Sequence, residues 1–342
     1  MEIHLVTGGT GFAGAHLVQA LMAGGLAVRV ITRNVQRARR VLPPDVEIIV
    51  GDITNPAVVD RAVSGASVVY HLATSYQEPK VSSEREWDVH VKGTRLLLER
   101  SDAEGVRRFV HCSTVGVLGH IAAPPADETW PYAPSDSYQE TKCQGERLAL
   151  AFAEAHDLPV TVVRPTAIYG PGDRRLLKLF QLIARRRFVM IGDGSIYYHM
   201  VYVEDLVRGI RLLSERPEAV GQVVIIGGDE YRSLEQVVAL IADTLGVPRP
   251  RLHLPSGPIQ QFGSLCEKLC RPLGITPPIY RRRVDFFTKS RAFSIDKARR
   301  LLDYIPRISL EEGIRRTAEW YFEHGDLARA PLAEPAVAAG TR

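Results

Sequence analysis

Six short runs rich in β-branched residues fall within the first 164 positions, and stretches of helical pattern separate them. The runs are IHLV (3–6), AVRVIT (27–32), VEIIV (46–50), SVVYH (67–71), RRFVHC (107–112) and VTVVR (160–164). Helical pattern covers roughly 12–23, 35–42, 56–64, 84–104 and 138–156. This alternation is the signature of βαβ units, and therefore of a parallel sheet. Few other architectures accommodate it.

Past Arg164 the character changes. RPTAIYGPGD is a Pro/Gly loop, followed by a basic helix that ends in ARRRF. YHMVYVEDLVRGIRLL reads as a strand feeding a helix, and GQVVIIGG (221–228) as another buried strand. Ser233 with Gln236, and Ser309 with Glu312, have the spacing of capping boxes that open helices. The tail 327–342 has few large apolar residues and is expected to be disordered. The expected fold class is α/β, a Rossmann-type doubly wound parallel sheet with a smaller, mostly helical C-terminal substrate domain. Residues 1–164 plus about 199–228 are assigned to the nucleotide-binding part, 165–198 and 229–326 to the substrate-binding part.

Composition narrows the class. The net charge of +4 over 342 residues argues against nucleic acid as the partner. No apolar run reaches the ~18 residues of a membrane span. MEIHLVT runs straight into the first strand and glycine turn, so the expectation is a cytoplasmic protein without a leader. Cys112, Cys143, Cys266 and Cys270 form no secreted framework, and no metal site is expected.

The first turn reads TGGTGFAG (7–14), after a strand and at the head of a helix. In that context Gly8 permits the tight turn, Gly11 lets the backbone approach a pyrophosphate, and Gly14 lets helix and strand pack closely. A dinucleotide cofactor is expected, with Phe12 in the same turn. The second strand ends at Thr32-Arg33, where NAD sites commonly carry an acid for the ribose 2′-hydroxyl. Arg33, with Arg37 a turn later, suits a 2′-phosphate, so NADP is favoured and NAD stays open. Asp52 and Ile53 follow the third strand on the adenine side, and small Ala73 follows the fourth.

YQETK places Tyr138 and Lys142 four residues apart on one helix face. Alone, such a pair is an ordinary surface Tyr beside a solvated Lys. A positive charge beside a phenol nevertheless favours the phenolate, the state that accepts a proton.

Together the glycine turn, Asp52, CSTVGVLG after the fifth strand and the Tyr138/Lys142 pair resemble the extended short-chain dehydrogenase/reductase family. The likeness runs over about residues 1–325 and extends to its NAD-dependent epimerase/dehydratase and 3β-hydroxysteroid dehydrogenase-like branch. The resemblance implies chemistry at a C–OH/C=O carbon, with Tyr138 passing the proton and Lys142 favouring phenolate while holding the nicotinamide ribose. Thr114 orients the substrate oxygen, with Ser113 beside it. Pro165 and Ile168 would line the nicotinamide, and Tyr169 would begin the substrate pocket. It also implies a homodimer, paired through the helices at 84–104 and 138–156.

Departures from the family pattern narrow the chemistry. Val115 and Gly116 stand where dehydratases carry an acidic pair, so dehydration is not expected. His199 replaces the Arg that grips a substrate diphosphate, although Arg174, Arg175 or Arg281–Arg283 could compensate. His90, in DVHVKGT, stands where the family has an Asn that orders the proton relay.

The expected function is an NAD(P)-dependent oxidoreductase acting on a sterol-like or other small hydroxyl compound. Apolar stretches at 259–287 favour it. A nucleotide-sugar epimerase is the alternative, and a non-catalytic NADP-sensing protein is a distant third.

Overall fold

The computed structural model describes residues 2–75, 82–259 and 286–328. Arg281–Arg283, Cys266, Cys270, most of the apolar 259–287 stretch and nearly all of the 327–342 tail lie outside the described residues.

The strands expected in the first half form within about a residue of their read positions: β1 (Ile3–Thr7), β2 (Ala27–Thr32), β3 (Glu47–Val50), β4 (Ala66–His71), β5 (Arg108–Cys112) and β6 (Val160–Pro165). Later strands are β7 (Ala167–Tyr169), β8 (Met190–Ile191), β9 (Tyr197–Tyr202) and β10 (Val223–Ile226). The main sheet has seven strands in the order β10-β6-β5-β4-β1-β2-β3. Every pair in it is parallel. The order reverses between β1 and β4, which is where sheets of this kind bind ligands outside the strands' carboxyl ends.

Helices α1 (Phe12–Ala23), α2 (Val35–Val41) and α3 (Pro56–Val63) follow the first three strands. The segment read as one helix over 84–104 is divided instead. It comprises α4 (Ser83–Trp87), a π-turn (Asp88–Lys92) and α5 (Gly93–Ala103). Val89, His90 and Val91 are all buried there, whereas a regular surface helix buries a stripe. The π-turn widens the helix enough to turn three successive side chains inward. Helix α6 (Ser137–Ala155), capped by Asp136 on the Gln139 amide, precedes β6.

Two compact units divide the chain: Met1–Tyr169, Ile196–Arg232 and Lys289–Leu310 form the first, the remainder the second. Lys289–Leu310, read as substrate domain, therefore belongs with the sheet. Long-range bonds hold it there: the Phe293 amide donates to His199 Nδ1 at 3.3 Å. The Arg307 and Ile308 amides donate to the Asp205 carboxylate at 3.0–3.1 Å. In the second unit, helix α7 (Leu177–Ala184) supplies Phe180, which meets Tyr321 edge-on at 5.2 Å. The Ser233–Gln236 capping box is present at the helix Leu234–Thr244. No helix among the described residues is long and apolar enough to cross a membrane.

Candidate active site

Gly8 adopts φ +72°, and a Cβ there would stand 2.7 Å from the Ala73 amide nitrogen. A Cβ on Gly14 would lie 2.2 Å from the Gly8 carbonyl oxygen. The turn thus packs backbone on backbone, and α1 follows Gly11 as its N-cap residue, with no side-chain cap and no acid in its first turn. A helix N-terminus of this kind attracts phosphate through its amides and dipole. Arg37 Nε donates to the Thr10 carbonyl at 3.3 Å, which brings a guanidinium onto the same turn, and Arg33 is exposed after β2.

Asp52 is half-buried and held by neighbouring donors. Its carboxylate accepts from the Thr54 amide and hydroxyl at 3.0 and 2.9 Å, and from Arg85 at 2.5 Å. Burial alone would raise its pKa, but the hydrogen bonds from Thr54 and Arg85 hold it below the usual carboxylate range. Ile53 is buried against Gly93, where a Cβ would meet its Cδ1 at 2.8 Å. The Asp52 side chain is 26% exposed and keeps an acceptor site for an adenine. Ala73 donates its amide to Thr7 Oγ1 at 3.3 Å, and Pro165 ends β6 with Ile168 half-buried in β7.

Tyr138, Lys142 and Glu146 recur every four residues on α6, so they form one stripe. Tyr138 is half-buried, and its ring meets that of His90 edge-on at 5.5 Å. Lys142 is 4% exposed, and its ammonium donates to the Cys112 carbonyl at 2.5 Å. Its burial lowers its pKa. The Ser113 hydroxyl is taken by Glu146. The Thr114 hydroxyl accepts from the Gly116 amide at 3.1 Å, capping the 3₁₀ turn Val115–Leu118, and keeps its own proton to donate. That division of labour separates Ser113 from Thr114. Tyr169 is 2% exposed and packs edge-on against Tyr202, so its ring belongs to the interior. His199 is 3% exposed, donates through Nε2 to the Gly228 carbonyl at 2.9 Å and accepts the Phe293 amide on Nδ1. Both of its nitrogens are spent within the fold.

Sequence reasoning missed the support behind the stripe. Glu146 and Arg164 are fully buried and joined at 2.5 Å, and the Tyr132 hydroxyl donates to Glu146 at 2.7 Å. A charge inside the apolar run VTVVR, with an acid four residues after Lys142, was the available signal. Removing one partner of a buried pair leaves the other charge uncompensated. Glu146→Ala is therefore expected to cost ~3–5 kcal/mol by urea denaturation. A loss below ~1 kcal/mol would mean that Arg164 reaches water instead.

Known proteins resemble this chain over nearly all its length. The profile of the NAD dependent epimerase/dehydratase family matches residues 4–227. A 3-beta-hydroxysteroid dehydrogenase from Mycolicibacterium neoaurum is 31% identical, over 99% of this chain and 96% of the relative. The 3beta-hydroxysteroid-dehydrogenase/decarboxylase isoform 1 of Arabidopsis thaliana is 30% identical, over 96% and 82% respectively. An Escherichia coli N-acetyl-alpha-D-glucosaminyl-diphospho-ditrans,octacis-undecaprenol 4-epimerase is 26% identical, over 94% and 95%. Among solved structures, gox2253 superposes with a TM-score of 0.81 at 26% identity, covering 96% of this chain and all of that one. The dTDP-glucose 4,6-dehydratase DesIV from Streptomyces venezuelae gives 0.75 at 26%, covering 94% and 97%. With a matching profile over most of its length and these enzyme relatives, the chain belongs to the NAD dependent epimerase/dehydratase family.

Proposed function

We propose that this protein is an NAD(P)-dependent oxidoreductase that interconverts a secondary hydroxyl and a ketone on a sterol-like substrate. The observation that carries the reaction class is the pairing of the Tyr138–Lys142 stripe with a Thr114 hydroxyl that still has a proton to donate. What a nicotinamide cofactor supplies at such a site is hydride exchange with the substrate carbon. Tyr138 takes the hydroxyl proton as the carbon is oxidised, or returns it on reduction. Lys142 stabilises the phenolate by its charge. Thr114 donates to the substrate oxygen and fixes its approach.

The printed activities of the Mycolicibacterium and Arabidopsis relatives support a 3β-hydroxysteroid. So does the interior placement of His199, which offers no fork for a diphosphate. Dehydration lacks an acid–base pair, because Val115 is apolar and Gly116 has no side chain. The likeness to the E. coli epimerase supports a second reading, oxidation and re-reduction of one sugar carbon.

The test is absorbance at 340 nm with a 3β-hydroxysteroid, once with NAD⁺ and once with NADP⁺. Reduction dependent on the steroid upholds the reading. No reduction, together with tightly held NAD released on denaturation and turnover of a nucleotide sugar, replaces it with the epimerase. NADP⁺ is expected to be the better oxidant, because Arg33 and Arg37 are the basic pair after β2. Arg33→Asp is then expected to weaken NADP⁺ by roughly 10–100-fold, the worth of a charged hydrogen bond, with NAD⁺ little changed. Equal losses for both cofactors would remove Arg33 from phosphate recognition.

A further inference from the structure

The π-turn sets a histidine against the catalytic helix, and its hydrogen bonds have a direction. The Ser75 amide donates to His90 Nε2 at 3.3 Å, and a backbone amide has no other role. Nε2 is therefore the unprotonated nitrogen, and it also lies 3.0 Å from Thr74 Oγ1. The proton of a neutral ring must then sit on Nδ1, which lies 2.8 Å from Thr141 Oγ1. The Thr141 hydroxyl in turn donates to the carbonyls of Ser137 and Tyr138, at 3.0 and 3.1 Å. One imidazole thus joins the loop after β4 to the first turn of α6.

Backbone packing makes the reach possible. A Cβ on Gly145 would stand 2.3 Å from the His90 carbonyl oxygen, so α6 lies directly on the π-turn. That carbonyl accepts from Thr94 Oγ1 at 2.7 Å. Thr94 accepts in turn from His71 Nε2 at 2.9 Å, and His71 Nδ1 accepts from Thr7 at 2.8 Å. The chain of bonds runs from the glycine turn, through the π-turn, to the residue that carries the phenol. Burial, reinforced by Lys142, keeps the His90 ring neutral and pushes its pKa down to about 2. It can hold a position at neutral pH but cannot exchange a proton there.

We propose that His90 is a positioning residue for Tyr138, acting through the Nδ1–H bond to Thr141. The claim rests on the reading of Tyr138 as the proton-transfer group, and the test separates the two. An Asn side chain places its amide nitrogen where Nδ1 stands, whereas Gln places its terminal atoms where Nε2 stands. His90→Gln and Thr141→Val are expected to lower kcat on the order of 10²-fold, the usual penalty for a misplaced reacting group. KM for the steroid and cofactor Kd should hold within about threefold, since binding surfaces are untouched. His90→Asn should recover most of the lost kcat.

Two readouts need no substrate. Nitrogen-15 NMR at pH 7 should find His90 neutral and protonated on Nδ1. Amide exchange over residues 138–142 should quicken on the order of tenfold in His90→Gln and Thr141→Val, but not in His90→Asn. An Nε2–H tautomer, or equal exchange in all three variants, overturns the proposal whatever the substrate proves to be. A fall in thermal stability with kcat and exchange at wild-type values overturns it as well, by reducing His90 to packing.

Discussion

Tyr138→Phe is expected to lower turnover by ~10³-fold, within the range of a lost general acid–base. The substitution removes one oxygen and keeps the ring, so the edge-on contact with His90 at 5.5 Å survives. Lys142 stays bonded to the Cys112 carbonyl, and the Glu146–Arg164 pair behind it is untouched. Fold and cofactor binding should therefore persist, with cofactor Kd within about twofold of wild type. Thr114 does not substitute for the phenol, because an aliphatic hydroxyl is far less acidic than a phenol, and its oxygen already accepts from the Gly116 amide. The measurement is steady-state kinetics with the steroid and cofactor of the 340 nm assay, alongside fluorescence titration of the reduced cofactor. Turnover within about tenfold of wild type would remove Tyr138 from proton transfer.

How much of this was legible depended on the range of the interaction. The β-branched runs and the glycine turn are local signals, and β1 to β6 formed where those runs stand. The Tyr138–Lys142 spacing is local too, since one helix carries both residues. The π-turn left no such trace. Val-His-Val within a helical pattern reads as a continuous helix, and only packing against α6 at Gly145 shows why the turn widens. Thr114 was read from the motif alone, and why Ser113 beside it is unavailable needed Glu146, 33 positions away, to claim the serine. Arg85 and Asp52 are 33 positions apart, and His199 and Phe293 are 94. His199, read at a substrate position, is in this way spent inside the fold. Residue type and spacing told which groups were present, while long-range pairing decided which remained available.

Lowering the pH from 7 to 5 is expected to remove folding stability, roughly 2 kcal/mol from each of the interior histidines His71, His90 and His111. Buried His4 and His199, whose pKa values burial likewise lowers, add to the loss. His71, His90 and His111 are each no more than 1% exposed. Burial lowers the pKa of His71 to about 3 and of His90 to about 2, and that of His111 falls well below 6.5, with the Lys142 charge adding to each shift. In the unfolded chain the same rings titrate near 6.5. The unfolded state therefore takes up protons first as the pH falls. Stability is complete above 6.5 and declines below it, down to the folded values. Any folded pKa below about 4 gives nearly the same loss over this interval. Native domains hold only ~5–15 kcal/mol, so a loss of this size is a large fraction of the total. His111 isolates the cause. Neither of its nitrogens has a hydrogen-bond partner among the described residues, whereas both nitrogens of His71 and of His90 do. His111→Leu is thus expected to preserve stability at pH 7 and to shrink the acid loss by roughly 2 kcal/mol, because an apolar side chain forfeits no bond there. Urea denaturation at pH 7, 6 and 5 measures both. Equal stability at pH 7 and 5 would mean that these rings reach water or carry protons in the folded state, and would place a hydrated channel beside Lys142 where the structure shows packed interior.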